Sequence, residues 1–243
     1  MRYLVLSDIH ANLEALEAVM AVAPSYDHVL LLGDVVGYGA DPNAVVERVR
    51  AFPRLTAIRG NHDKVAAGLE TTEGFNYLAK HAIGWTSAAL TPSNLEWLAA
   101  LARGPLTVDD RVQICHGAPF DEDVYVFDDL DAVRALQATE RALCLFGHTH
   151  VPAAYGLTGE LLHLGPPKSG ISFSFGGGAR YLVNVGAVGQ PRDGDPRAAF
   201  GIVNTDDETL VVHRVAYDIG TAQAKIIAAG LPDVLATRLA RGR

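Results

Sequence analysis

The chain has 243 residues, 49% of them hydrophobic, with Gly 24 and Pro 12, a globular composition that excludes a disordered or collagen-like chain. A formal net charge of -8 argues against sequence-independent nucleic-acid binding, which depends on Lys and Arg meeting phosphates. The longest apolar runs are strand-sized, so no membrane span is expected.

Residues 3–6 read as a first strand that runs straight into Ser7-Asp8, without the small-residue cleavage site of a signal peptide. Residues 12–22 carry Leu13, Leu16, Val19 and Met20 at helical spacing, and Pro24 ends that helix. Residues 28–32 are an unbroken apolar run, as in a strand buried on both faces. Asp41-Pro42-Asn43 starts a helix that continues through Val49. A strand follows at 55–58. Residues 64–103 read as helical, with breaks near Gly74 and at Pro92. Strands at 112–115 and 143–146 flank a helix over 129–139. After His150 the runs are short: 153–157, 160–164, 171–175, 180–185, 199–204 and 210–214. The turns between them hold Thr-Gly, Gly-Pro, Gly-Gly-Gly and Asp-Asp, as in a hairpin-rich antiparallel sheet. A last helix is expected over 221–240. The sum is one α/β domain over 1–243: a parallel-type half, then an antiparallel half, as two packed sheets with helices outside. Cys115 and Cys144 sit in or at the ends of apolar runs and read as buried free thiols of a reducing cytoplasm.

Five strings carry the chemistry: Asp8-Ile9-His10, Gly33-Asp34, Gly60-Asn61-His62-Asp63, Cys115-His116-Gly117 and Gly147-His148-Thr149-His150. Each follows an apolar run, at the strand end where α/β proteins place their sites. Taken singly they are weak. Asp8 and Asp34 also read as helix-capping or turn residues, and His116 as a lone core or surface histidine. Taken together they put five of the nine histidines in one recurrent context with Asp and Asn, the donors that suit a pair of divalent metals. His62, beside a ligand and not itself one, falls where a general acid belongs.

This set resembles the calcineurin-like metallophosphoesterase superfamily, and within it the compact bacterial and archaeal phosphodiesterase branch related to diadenosine tetraphosphatases. The segment from Val183 through Gly186, Gly189 and Gln190 to Arg192 resembles the Gly-rich turn that closes the site in that branch. The resemblance spans about residues 2–215. It implies a two-sheet β-sandwich flanked by helices, the four-layer metallo-dependent phosphatase-like fold. It implies two divalent ions, manganese first, with Fe, Ni, Zn or Mg as alternatives. Asp8, His10 and His150 would hold one, Asn61, His116 and His148 the other, and Asp34 would bridge. A metal-bound hydroxide would attack phosphorus and His62 would protonate the leaving oxygen.

Ser/Thr protein phosphatases have a string similar to Gly-Asp-x-Val-Asp-Arg-Gly where this chain has Gly33-Asp34-Val35-Val36-Gly37-Tyr38-Gly39. The Asp that orients the catalytic His is Gly37 here, and the phosphate-gripping Arg is Tyr38. The change leaves His62 without an identified orienting partner and shifts the expectation towards diesters. Tyr38, Arg192 and Lys64 are candidates for contacting substrate. Tyr125 and Phe127 either stack a base or belong to an ordinary surface loop. The expected activity is hydrolysis of small phosphodiesters or nucleotides. A phosphomonoesterase, a dinucleotide polyphosphate hydrolase and a non-catalytic scaffold are the alternatives, and a homo-oligomer is left open.

Overall fold

A computed structural model describes residues 1–159 and 161–243, with the backbone alone at 161–163. The apolar runs become β1 (Arg2–Leu6), β2 (His28–Leu31), β3 (Leu55–Ala57), β4 (Leu106–Thr107), β5 (Val112–Ile114) and β6 (Leu143–Phe146). Then come β7 (Ala153–Leu157), β8 (Leu161–His163), β9 (Ser172–Ser174), β10 (Arg180–Asn184), β11 (Ala198–Asn204) and β12 (Thr209–Val215). The expected strand at 160–164 is β8, and Glu160 lies outside the described residues. The helices are α1 (Leu13–Val22), α2 (Pro42–Arg50), α3 (Asn61–Ala66), α4 (Tyr77–Ala89), α5 (Pro92–Ala99), α6 (Asp129–Gln137), α7 (Ile219–Ala228) and α8 (Asp233–Leu239).

Local chemistry sets these boundaries. Asn12 Oδ1 accepts from Ala15 N–H at 3.1 Å, and Asn76, Thr91, Asp128 and Asp218 cap their helices in the same way. The single helix expected over 221–240 is two, because Gly230 takes φ +70 and Pro232 follows it. The helical stretch expected over 64–103 begins earlier, at Asn61 itself. None of the described helices is long and apolar enough to cross a membrane.

Two six-stranded sheets form, ordered β3-β2-β1-β11-β12-β9 and β4-β5-β6-β10-β7-β8. The expected division into a parallel half and an antiparallel half does not follow the sheets. Late strands pair with early ones in both: β11 lies antiparallel to β1, and β10 lies parallel to β6. Each sheet is therefore mixed. Tyr3, Val5, Leu30 and Leu32 of the first sheet pack against Val112, Ile114, Leu143 and Leu145 of the second. Leu4 and Leu6 face the other way, onto Leu16 and Val19 of α1 and Val45, Val46 and Val49 of α2. Phe146 and Leu182 face Ala132, Ala135 and Leu136 of α6. The result is four layers, helix–sheet–sheet–helix, with alternating strand residues feeding different interfaces.

Phe146 is fully buried beneath α6. Phe146→Ala should lower unfolding free energy by about 3–5 kcal/mol, the usual cost of truncating a core aromatic. A urea titration checks this, and a loss under about 1 kcal/mol would show that the α6 layer is not closely packed.

Candidate metal centre

Five strand ends deliver the five strings to one place. Asp8 and His10 follow β1, Asp34 follows β2, Asn61 and His62 follow β3, His116 follows β5, and His148 and His150 follow β6. The chain turns through left-handed residues after β1, β2 and β6. Asp8, His10, Ala11, Asp34, Tyr38, His148 and His150 all have φ between +50 and +66, and among the other described non-glycine residues only Glu208 is left-handed. That conformation costs a non-glycine residue energy, and such strain gathers at sites that need an exact side-chain direction. The structure narrows the bland readings of single motifs. Asn12, not Asp8, caps α1, and Asp8, His10 and His116 are buried.

Two groups of donors result, and Asp34 belongs to both. Asp8, His10, Asp34 and His150 offer atoms within 4.8 Å of one another, as do Asp34, His116 and His148. Asp34 Oδ2 lies 3.5 Å from His10 Nε2 and 3.5 Å from His116 Nε2, while its Oδ1 accepts from His62 N–H at 2.9 Å. Asn61 Oδ1 is 3.2 Å from His116 Nε2. Backbone carbonyls settle the tautomers: Nδ1–H donates to Val36 O from His10, to Gln190 O from His150 and to Leu32 O from His116, at 3.0, 2.7 and 2.8 Å. His148 is turned the other way, with Nε2–H donating to Asp123 O at 3.2 Å, so its Nδ1 is the nitrogen left to offer a lone pair. The Nε2 lone pairs of His10 and His150 then face each other at 3.1 Å with no proton between them. Buried lone pairs at that distance repel, and a cation between them relieves the repulsion. The residues present therefore fit divalent metals, each imidazole being oriented by a second hydrogen bond as metal-binding histidines usually are.

The protonation pattern agrees. Burial holds His10, His148 and His150 well below the usual histidine range, so they are neutral. Burial also opposes the charges of Asp34 and His116, but each stabilises the other. Asp34 stays well below the carboxylate range and His116 rises to about 10. A metal at His116 Nε2 would displace that proton. Asp63 is a support that its motif did not reveal. It is buried, and its carboxylate accepts from the backbone N–H groups of Val35, Val36 and Gly60, tying the Asp34 turn to the start of α3.

His62 stands beside this centre. Burial lowers its pKa to about 4 against the pull of Asp34. Its Nδ1 is buried without a hydrogen-bond partner among the described residues. Gly37 packs directly against that atom, so close that a Cβ there would collide with it. Rings hold His62 instead: the Tyr38, Phe75 and His10 centroids lie 4.5, 4.8 and 4.9 Å away. His62, Asn61, Tyr38, Phe75 and Tyr125 line a cleft beside the centre.

The Gly-rich turn reaches both ends of the first metal group. Gly189 N–H donates to Asp8 O at 3.0 Å, and Arg192 N–H to His150 O at 3.3 Å. Of the candidate cations, Lys64 is committed to Glu70, Glu122 and Asp123. Arg192 lies over the Tyr38 ring instead. Tyr125 stacks on His148 with centroids 3.7 Å apart, and Phe127 stacks on Tyr125 at 4.9 Å. Tyr125 thus walls His148, and Phe127 beside it is exposed.

A family model described as the calcineurin-like phosphoesterase superfamily domain matches residues 1–208. The chain is 36% identical over 250 residues to an uncharacterized protein of Methanocaldococcus jannaschii, covering 98% of this chain and 97% of that one. A metallophosphoesterase from Sphaerobacter thermophilus superposes with a TM-score of 0.86 at 39% identity, over 100% of this chain and 99% of that one. A hypothetical protein from Pyrococcus horikoshii OT3 shares the fold, with a TM-score of 0.80 at 18% identity, over 100% and 98% of the two chains.

The contact between Gly37 and His62 is testable through stability. Gly37 and Gly68 both have left-handed backbones, φ +91 and +74, but nothing lies within 4 Å of where a Gly68 Cβ would be. Gly68→Ala should cost only backbone strain, about 1–2 kcal/mol. Gly37→Ala should cost about 1–3 kcal/mol more, the price of overpacking. Equal midpoints in urea for the two variants would show that His62 is free to move aside.

Proposed function

The chain belongs to the calcineurin-like phosphoesterase superfamily, and we propose that within it this protein is a binuclear metal-dependent hydrolase of small phosphodiesters or nucleotides. One observation carries the reading. Asp34 Oδ2 stands 3.5 Å from a nitrogen of each metal group, where one carboxylate serves two cations. Asp8, His10 and His150 would hold the first ion, and Asn61, His116 and His148 the second. Manganese is our first choice, and Fe, Ni, Zn and Mg are compatible with the same N/O donors. When bound, such ions supply Lewis acidity and activate water near neutral pH.

The chain's own residues do the rest. The carbonyls of Val36, Gln190 and Leu32 fix three imidazole rings, so these rings are already oriented to receive ions. Asp63 holds the Asp34 turn against α3. His62 lines the cleft, with Nδ1 turned to Gly37. Its other nitrogen would give a proton to the leaving oxygen. Burial keeps the ring neutral, and an anionic substrate would bring the charge that favours protonation.

Two outcomes test this reading. In Asp34→Ala both metals should be depleted, whereas His10→Ala should deplete mainly one, counted by elemental analysis after dialysis. Two full equivalents in the Asp34 variant would remove the bridge. His62→Asn should keep its metals and lose about 10²–10⁴-fold on an alkoxide-leaving substrate, the usual contribution of a positioned acid. A nitrophenolate leaves without much help, so the loss there should be smaller, and equal losses on both would remove His62 as the acid.

A further inference from the structure

Tyr38 is buried beside His10 and His62. Two guanidinium groups converge on that spot from later in the chain. Arg192, just past the Gly-rich turn, lies with its guanidinium carbon 5.7 Å from the Tyr38 ring centroid. Arg238, on α8, lies 5.9 Å from the same centroid. Both donate to one neutral acceptor, Gln190 Oε1, at 2.9 and 3.2 Å. Both are half-buried, and the Nε of each is buried without a hydrogen-bond partner among the described residues.

Neither of these arginines makes an ion pair among the described residues. Their neighbours do: Arg197 pairs with Asp195, and Arg214 with Asp193. Two like charges sharing one amide oxygen and an aromatic ring gain little from each other. Burial first, and the charge of Arg192 second, lower the Arg238 pKa. A pair of this kind is stabilised by an anion, and the planar guanidinium fork matches phosphate oxygens.

The place is also right. The Tyr38 ring under both guanidiniums is 4.8 Å from His10 and 4.5 Å from His62, centroid to centroid. Cations on that scale are not needed for a diester, whose single charge two metals can neutralise. They are needed when the substrate carries more. We propose that Arg192, Arg238 and Gln190 recognise a second negative charge on the substrate, either the extra charge of a phosphomonoester or that of a phosphate linked to the scissile one. The inference rests on the phosphoesterase reading above. Arg238 lies beyond the residues 1–208 matched by the family model, so its role is not carried over from that match.

The test uses the full-length manganese-loaded protein and three substrates. Bis(p-nitrophenyl) phosphate has one charge, p-nitrophenyl phosphate has a second on the same phosphorus, and diadenosine diphosphate has a second on a linked phosphate. Arg238→Gln and Arg192→Gln should each lower kcat/KM on a doubly charged substrate, relative to the simple diester, by about tenfold or more. That is the size of a lost hydrogen bond to a charged group. A fall confined to p-nitrophenyl phosphate names the monoester charge, and one confined to diadenosine diphosphate names the linked phosphate. Arg197→Gln, paired with Asp195 and outside the site, should leave every ratio unchanged. Inorganic phosphate binding, followed by calorimetry with and without manganese, should weaken in the same two variants. Ratios that stay within about twofold for both doubly charged substrates overturn the proposal, whatever calorimetry gives. If the wild type cleaves none of the three substrates, the phosphoesterase reading falls, and calorimetry alone then decides whether the anion site stands. Should Arg238→Gln fail to fold by circular dichroism, Arg192→Gln carries the same comparison.

Discussion

The structure turns on two imidazole nitrogens, His10 Nε2 and His150 Nε2, held 3.1 Å apart with their lone pairs facing. Left alone they would separate. Each ring is prevented from rotating by a backbone carbonyl at its far side, Val36 O for His10 and Gln190 O for His150. Those carbonyls belong to the Asp34 turn and to the Gly-rich turn, which are hydrogen-bonded in their own right. His10 N–H donates to Asp34 O at 3.0 Å, and Gly189 N–H to Asp8 O at 3.0 Å. The repulsive contact is thus the keystone of a closed set of turns, and it becomes attractive only when a cation is added. Protonation is the competing relief, and burial opposes it at both rings.

Holding that contact costs backbone energy. Seven left-handed non-glycine residues at strand ends amount to several kcal/mol on ordinary scales, comparable with the net stability of a domain. Four packed layers offset the cost. The faces that flank the strand ends are continuous apolar surfaces on both sides of each sheet, so the turns are anchored where they leave the strands. The strain therefore cannot relax into the core. It stays in the turns, where it aims side chains. Metal binding would return part of this energy, since a ligand that binds only the folded state stabilises it.

Much of this was legible in the residues, and the exceptions have physical causes. Strand ends followed by Asp, Asn or His are visible because a buried strand is an apolar run and a ligand is polar, so the boundary is sharp at Asp8, Asp34 and His116. The pairing of strands was not visible. β10 and β11 look alike as short apolar runs between turns, yet one joins β6 in parallel and the other joins β1 antiparallel. Sheet membership is decided by where the chain crosses over, which leaves no local mark. The break in the last helix was written in Gly230 and Pro232 but was outweighed by helical periodicity on either side. Arg238 left no signal, because an arginine on an amphipathic helix reads as a solvated charge until its neighbour across 48 residues is known. Asp63 was part of a quoted motif, but its role as a buried acceptor of three backbone amides depends on the Asp34 turn coming to meet it.

Gly37 and Tyr38 show how two substitutions act as one. Any side chain at position 37 would have to displace His62, because a Cβ there would collide with Nδ1. Glycine there lets the backbone itself come up against the ring, and Nδ1 is left without a partner among the described residues. With no described carboxylate bonded to Nδ1, the ring is oriented by shape, and Tyr38 supplies shape. It packs on His62 and His10 at once, 4.5 and 4.8 Å between centroids, with Phe75 closing the other side of His62. An arginine at position 38 could not fill that space as a flat ring does. Nor could it serve beside Arg192 and Arg238, because a third guanidinium would add to a repulsion already unbalanced by any carboxylate. The tyrosine is therefore compatible with two cations in the one place where an arginine is not. It turns its apolar ring to the histidines and its π face to the guanidiniums. The setting of His62 thereby depends on the packing of Tyr38 and Phe75, and the two guanidiniums that meet Tyr38 come from the Gly-rich turn and α8 rather than from its own short string.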